Sequence, residues 1–96
     1  MAIGVLFELA GWGQEQYDEV TKRLTGGGGL SSLSDWPVDG ILSHVAGPTD
    51  SGWRVVDVWE SEEAFGRFGE RLVPILQELG AEGEPQVFPA YNFVKE

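Results

Sequence analysis

The chain has 96 residues, 42% of them hydrophobic and 23% charged, enough apolar material for one compact domain over residues 1–96 and too little for two. Sixteen acidic residues against six Lys and Arg give a net charge of -10, so nucleic-acid backbones and anionic membrane surfaces are repelled and neither is expected as a partner. With no Cys and one His, disulfides, thiol nucleophiles and multi-histidine or zinc-thiolate centres are excluded, and neither metal nor cofactor is expected.

The start, Met1 to Glu8, carries no basic flank of a signal peptide, and no apolar run approaches the ~20 residues that span a bilayer. With the lack of Cys this leads us to expect a soluble, cytoplasmic protein. Ile3, Val5, Phe7 and Leu9 alternate with Gly4, Leu6 and Glu8, which predicts a strand with one fully apolar face. Gly11 and Gly13 end it. From Gln14 the period lengthens: Tyr17, Val20, Thr21 and Leu24 form the apolar stripe of a helix whose acids lie early and bases late, with Gly26 as its stop. Trp12 is placed to staple the start of this helix against Tyr17.

Residues 25–40, with four consecutive glycines, Ser31, Ser32, Ser34, Pro37 and Gly40, read as a loop. Leu30, Leu33 and Trp36 recur every three residues within it, so it is expected to fold a short turn back over the body, either as a pinned loop or as a lid. Gly26 to Gly29 do not make a phosphate cradle, since they follow a helix rather than precede one.

Residues 40–47 and 53–60 predict a hairpin around Pro48-Thr49-Asp50-Ser51-Gly52, with Gly52 available for a positive φ. Ser61 caps a second helix, with Glu62 and Glu63 in its first turn. Its buried stripe is Ala64, Phe65, Phe68, Leu72, Ile75, Leu76 and Leu79, and Pro74 is expected to kink or restart it. Val87 to Val94 alternate as a last strand in which Pro89 requires an edge position or a bulge. The acidic groups Glu60, Glu62, Glu63, Glu82 and Glu84 read as solvated surface, without the spacing of a calcium loop.

The order strand, helix, strand, strand, helix, strand is the split βαβ, ferredoxin-like α+β arrangement: a four-stranded antiparallel sheet with both helices on one face. The other face should then be polar. Instead Val56, Val58, Phe88 and Val94 lie opposite another apolar set. At about 25 cal/mol per Å², leaving such groups wet would forfeit several kcal/mol, comparable to the stability of a small domain. A second copy related by a two-fold axis would cover them, so a homodimer through the sheet face is expected.

The junction Val56-Asp57-Val58-Trp59-Glu60-Ser61-Glu62-Glu63-Ala64-Phe65, with Phe68 and Leu72-Val73-Pro74 after it, resembles the dimeric α/β-barrel superfamily. Within that superfamily it is most similar to the antibiotic-biosynthesis-monooxygenase-like proteins. The resemblance implies a dimeric α/β barrel with Trp59 at a pocket between sheet and helices. The Asn and Tyr that accompany this Trp in the cofactor-free monooxygenases fall here at Val55 and Phe65. The heme-degrading relatives place a His in the second helix, and none stands there in this chain.

His44 lies in the middle of the second strand. If the hairpin tip runs from Thr49 to Gly52, His44 faces Asp57 and Leu42 faces Trp59. Asp57 would then fix the imidazole, and the two would serve either as a general base or as an inert pair that satisfies itself in an apolar sheet. Trp59, Phe65, Phe68, Tyr91 and Asn92 are the expected ligand-binding residues. Three functions remain open: binding of a small hydrophobic or aromatic molecule, cofactor-independent monooxygenation or isomerisation of a phenolic substrate with His44 and Asp57 as base, or a purely architectural barrel whose pocket is filled by side chains.

Overall fold

A computed structural model describes residues 1–81 and 84–94. Six main elements follow in the expected order: β1 (Ile3–Ala10), α1 (Gln14–Thr25), β2 (Ile41–Pro48), β3 (Gly52–Trp59), α2 (Glu62–Glu78) and β4 (Gln86–Pro89), with a short 3₁₀ turn at Leu33–Asp35 between α1 and β2. The strands form one antiparallel sheet in the order β2-β3-β1-β4. This is the ferredoxin-like α+β fold.

The alternation in β1 sets the core. Ile3, Val5, Phe7 and Leu9 are buried and meet Trp53, Val55 and Trp59 of β3 together with Val20 and Leu24 of α1 and Ala64, Phe68 and Leu72 of α2. Both helices therefore lie on one side of the sheet. α1 ends at Gly26, whose φ of 72° is the left-handed conformation that glycine adopts without strain. Ser61 accepts the Ala64 N–H at 3.1 Å and starts α2.

Several boundaries depart from expectation. α2 runs unbroken through Pro74. The proline and Glu70, whose carbonyl loses its usual donor, are both exposed, so water can take the missing hydrogen bond. β4 stops at Pro89, short of the predicted Val94. Pro89 is the edge residue anticipated from its missing N–H; β1 opens at Ile3, opposite Pro89, and one further bond, from the Ala90 N–H to the Ala2 carbonyl at 2.9 Å, follows it. The hairpin keeps the expected register from Pro48↔Trp53 to Ser43↔Val58, then shifts at a bulge, and Ile41 instead of Leu42 faces Trp59. Gly52 serves a different purpose from the one anticipated. Its φ is not positive, and a Cβ there would come within 2.2 Å of the Leu9 carbonyl oxygen, so the chain needs it for the close approach of β1. Glu82 lies outside the described residues. Among the described residues no helix is long and apolar enough to cross a membrane.

Candidate functional site

Between the sheet and the helices lies a cavity of about 50 Å³. Its walls are almost wholly apolar, with Phe7 and Leu9 from β1, Val55 from β3, and Phe68 and Leu72 from α2. Tyr17, His44 and Asp57 interrupt them, each supplied by a different element, α1, β2 and β3.

These three side chains form a continuous hydrogen-bonded chain. Tyr17 Oη lies 2.6 Å from His44 Nε2, and His44 Nδ1 lies 2.6 Å from Asp57 Oδ1. The second carboxylate oxygen, Oδ2, accepts the indole N–H of Trp59 at 3.3 Å. The hairpin register brings His44 and Asp57 opposite each other, and Tyr17 reaches them from the first turn of α1. The Asp57 side chain is 3% exposed and that of His44 15%.

Burial raises the pKa of Tyr17 above its ordinary value of 10.0, and the negative charges of Asp57 and Asp18 raise it further. The phenol is therefore neutral, and with a neutral imidazole its O–H donates to Nε2 while Nδ1–H donates to Asp57. This assignment gives each group in the chain a partner. Aromatic rings hold the chain in place. Trp53 packs on Tyr17 with centroids 5.4 Å apart, and Trp36 meets His44 edge-on at 4.8 Å.

The residues singled out from the sequence divide. His44 and Asp57 come together as the hairpin arithmetic requires, and Phe68 borders the cavity. Trp59 is fully buried, stacked on Phe68 at 5.0 Å, and reaches the site through its hydrogen bond to Asp57 instead of facing a ligand. Phe65 borders a second, larger groove of about 550 Å³ between β1 and α2. Phe7, Leu9, Leu72 and Leu76 border both spaces. Tyr91 and Asn92 require a correction: both are exposed beyond the end of β4 and neither borders the cavity, because the ladder that would have carried them inward ends at Pro89. Two residues of the site went unassigned in the sequence. From the sequence Tyr17 reads as part of an apolar stripe and as the contact of Trp12, and Trp36 as an apolar anchor of a pinned loop or lid. The usable signal was a hydroxyl-bearing ring at a core position, since a buried phenol needs a partner.

Asp35 builds the turn that delivers Trp36. Its carboxylate accepts the N–H groups of Ser31 at 2.8 Å and Ser32 at 2.9 Å, and these bonds hold its pKa below the ordinary value. Among the described residues no cluster of three His, Asp or Glu side chains is placed to hold a metal ion.

Neither a protein-family model nor a curated protein matches the chain. Solved structures do. SnoaB, a cofactor-independent oxygenase from Streptomyces nogalater, superposes in the form of an asparagine-to-alanine variant with a TM-score of 0.60 and 19% identity, covering 99% of this chain and 96% of that one. A second SnoaB structure gives a TM-score of 0.58 and 16% identity, with 99% and 95% covered. The likeness over nearly the full length of both chains establishes that this protein shares the ferredoxin-like fold of that oxygenase.

Proposed function

We propose that the protein binds a compact aromatic ligand between sheet and helices and removes a proton from it, with His44 as base, Asp57 as the group that orients it and Tyr17 as the bridge to the ligand. The observation that carries this reading is the partly buried Tyr17–His44–Asp57 chain in a largely apolar wall.

In the proposed step the ligand's acidic proton passes to the Tyr17 oxygen as the phenolic proton passes to His44 Nε2. Tyr17 stays neutral throughout, which suits a site where burial and Asp57 oppose a phenolate. The imidazolium that forms is held by the Asp57 carboxylate, and the ligand keeps the electron pair as a delocalised anion. The cavity of about 50 Å³ admits only the reacting end of such a ligand; a groove of about 550 Å³ on the other side of Phe7, Leu9, Leu72 and Leu76 falls in the range of small-molecule sites.

A second reading adds oxygenation, and the fold shared with a cofactor-independent oxygenase favours it. A phenolate carries carbanion character on its ring carbons. There it can react with dioxygen, which takes one oxygen atom into a quinone and leaves the other as water. The polar groups that the family resemblance would put at Val55 and Phe65 are absent. In this reading Tyr17 and His44 supply them from other elements.

The test uses 4-nitrophenol, whose ionisation is visible by its colour. At about one pH unit below its own pKa, wild-type protein should increase the ionised fraction, and His44→Gln and Tyr17→Phe should abolish the increase while still binding. Equal ionisation with His44→Gln would refute the base and leave a binding protein.

For assembly, we propose a homodimer through the open sheet face. Cross-strand registers align Val45, Val56 and Leu6 in one row and Val58, Gly4 and Phe88 in the next. Val45 is 62% and Phe88 51% exposed. A copy of the same surface would bury both rows.

A further inference from the structure

The walls of the cavity between sheet and helices are held together in different ways. Ladders tie the strands. α1 is tied to β2 through Tyr17 and His44 at 2.6 Å and to α2 through Arg23 and Glu78 at 2.7 Å. Residues 30–39, which contribute Leu30 and Trp36 to the wall, are the exception. Among the described residues their hydrogen bonds are internal: Asp35 accepts the N–H groups of Ser31 and Ser32, Ser32 and Ser34 share a bond, and the N–H groups of Asp35 and Trp36 close on the carbonyls of Ser32 and Leu33. The segment is a folded strap laid on the body by side-chain packing. Trp36 is its main anchor, 8% exposed and edge-on to His44 with ring centroids 4.8 Å apart.

The two ends of the strap differ. At Gly40 an added Cβ would come within 2.6 Å of the Ala64 Cβ, and the Gly40 carbonyl accepts the Glu60 N–H at 2.8 Å, so this end is fixed. At the other end the N–H groups of Gly26 and Gly27 complete the cap of α1 on the Lys22 carbonyl. Gly28 and Gly29 follow, and a Cβ at either would stand in open space, so the backbone there rotates freely and collides with nothing. One bond holds this loose end down, from the Gly29 N–H to Thr25 Oγ1 at 2.7 Å. From this we infer that residues 30–39 form a gate, loose at Gly28–Gly29 and pivoting at Gly40, whose opening lifts Trp36 off His44 and joins the cavity to solvent. Opening breaks the Gly29 latch and leaves the bonds within the strap intact, whereas entry through another wall would part a β-ladder or the tied helices. It is therefore a local event, far less costly than unfolding. When shut, the strap keeps the imidazole out of bulk water; when open, it gives passage to the site. The gate concerns access to His44 and holds whatever the ligand.

Exchange of the indole N–H groups with heavy water, followed by NMR at increasing urea below the unfolding midpoint, reads the opening. The signals of Trp36 and Trp59 are identified by their loss in Trp36→Phe and Trp59→Phe. Trp36 should exchange at least about tenfold faster than Trp59, which is fully buried, and its rate should stay flat at urea concentrations that accelerate Trp59, because a local opening exposes little new surface. Thr25→Val removes the latch. It should raise the Trp36 rate relative to that of Trp59 by about three- to tenfold, the worth of one hydrogen bond. Modification of the single histidine by diethyl pyrocarbonate should accelerate by the same factor. Trp36 exchange that rises with urea in step with Trp59 makes the strap part of the core and overturns the gate. So does a Thr25→Val protein in which Trp36 exchanges faster while His44 is modified no faster. If Thr25→Val does not fold, the urea dependence of the two wild-type signals decides alone. A failed gate leaves the base proposed for His44 in place, since that is read by the ionisation of 4-nitrophenol.

Discussion

Asp57 is the residue on which the interior most depends. Its carboxylate is 3% exposed and accepts from both His44 and Trp59. Asp57→Ala would orphan two buried donors, and we expect a loss of about 2–5 kcal/mol in urea unfolding, with Asp57→Asn less damaging because it keeps an acceptor and the shape. Tyr17 should reveal itself at alkaline pH. Its folded pKa lies above 10.0, so below that value the neutral phenol is favoured in both states and its contribution to stability is complete. As pH rises beyond it the unfolded chain ionises first, and stability falls until the folded pKa has been passed. The urea midpoint of wild type should therefore drop more than that of Tyr17→Phe between about pH 9 and pH 11. A parallel drop would contradict the buried phenol. The His44–Asp57 pair was legible in the sequence because a tight turn propagates its register along both strands. Tyr17 was not, because a helical period reports which face a ring occupies and says nothing of what its hydroxyl meets.

Glycines separate two demands on the elements. Gly52 begins β3 where β1 ends, and an added Cβ would lie 2.2 Å from the Leu9 carbonyl oxygen. Gly52→Ala should then destabilise the fold by about 1–3 kcal/mol, read as a lower urea midpoint with an unchanged slope. Gly66 and Gly69 sit inside α2, border the larger groove, and would present a Cβ to open space. Alanine at either should raise stability by about 0.5–1 kcal/mol through helix propensity. A loss there would show that the backbone of α2 cannot accept even a methyl group. Element type and order followed from periodicity and punctuation. The bulge between Ile41 and Ser43 did not, because Ile41 and Leu42 are both apolar, so the phase shift that a bulge introduces leaves no mark in the pattern.

The open face of the sheet sets the expected behaviour of the whole protein. Two apolar rows lie uncovered on it, against a net charge of -10 that favours dispersal and so makes any self-association specific. Sedimentation of dilute protein should give dimers. Val45→Asp, at the centre of a strand on that face, should shift them to monomers by placing like charges close together across the two-fold axis. Wild-type monomers at micromolar concentration would remove the proposed assembly and leave the cavity chemistry standing, since Tyr17, His44 and Asp57 come from one chain.

Local chemistry along the chain accounts for the helices, the hairpin and the apolar surplus of the sheet, because periods, caps and turn formers act over a few residues and need no knowledge of distant partners. Pairing between remote segments accounts for the rest. Where β4 ends depends on β1, so Tyr91 and Asn92 stay outside the site that their alternation suggested. Whether a tyrosine in a helical stripe becomes part of a proton path depends on which strand residue its hydroxyl meets, and that contact exists only once α1 has packed on the hairpin.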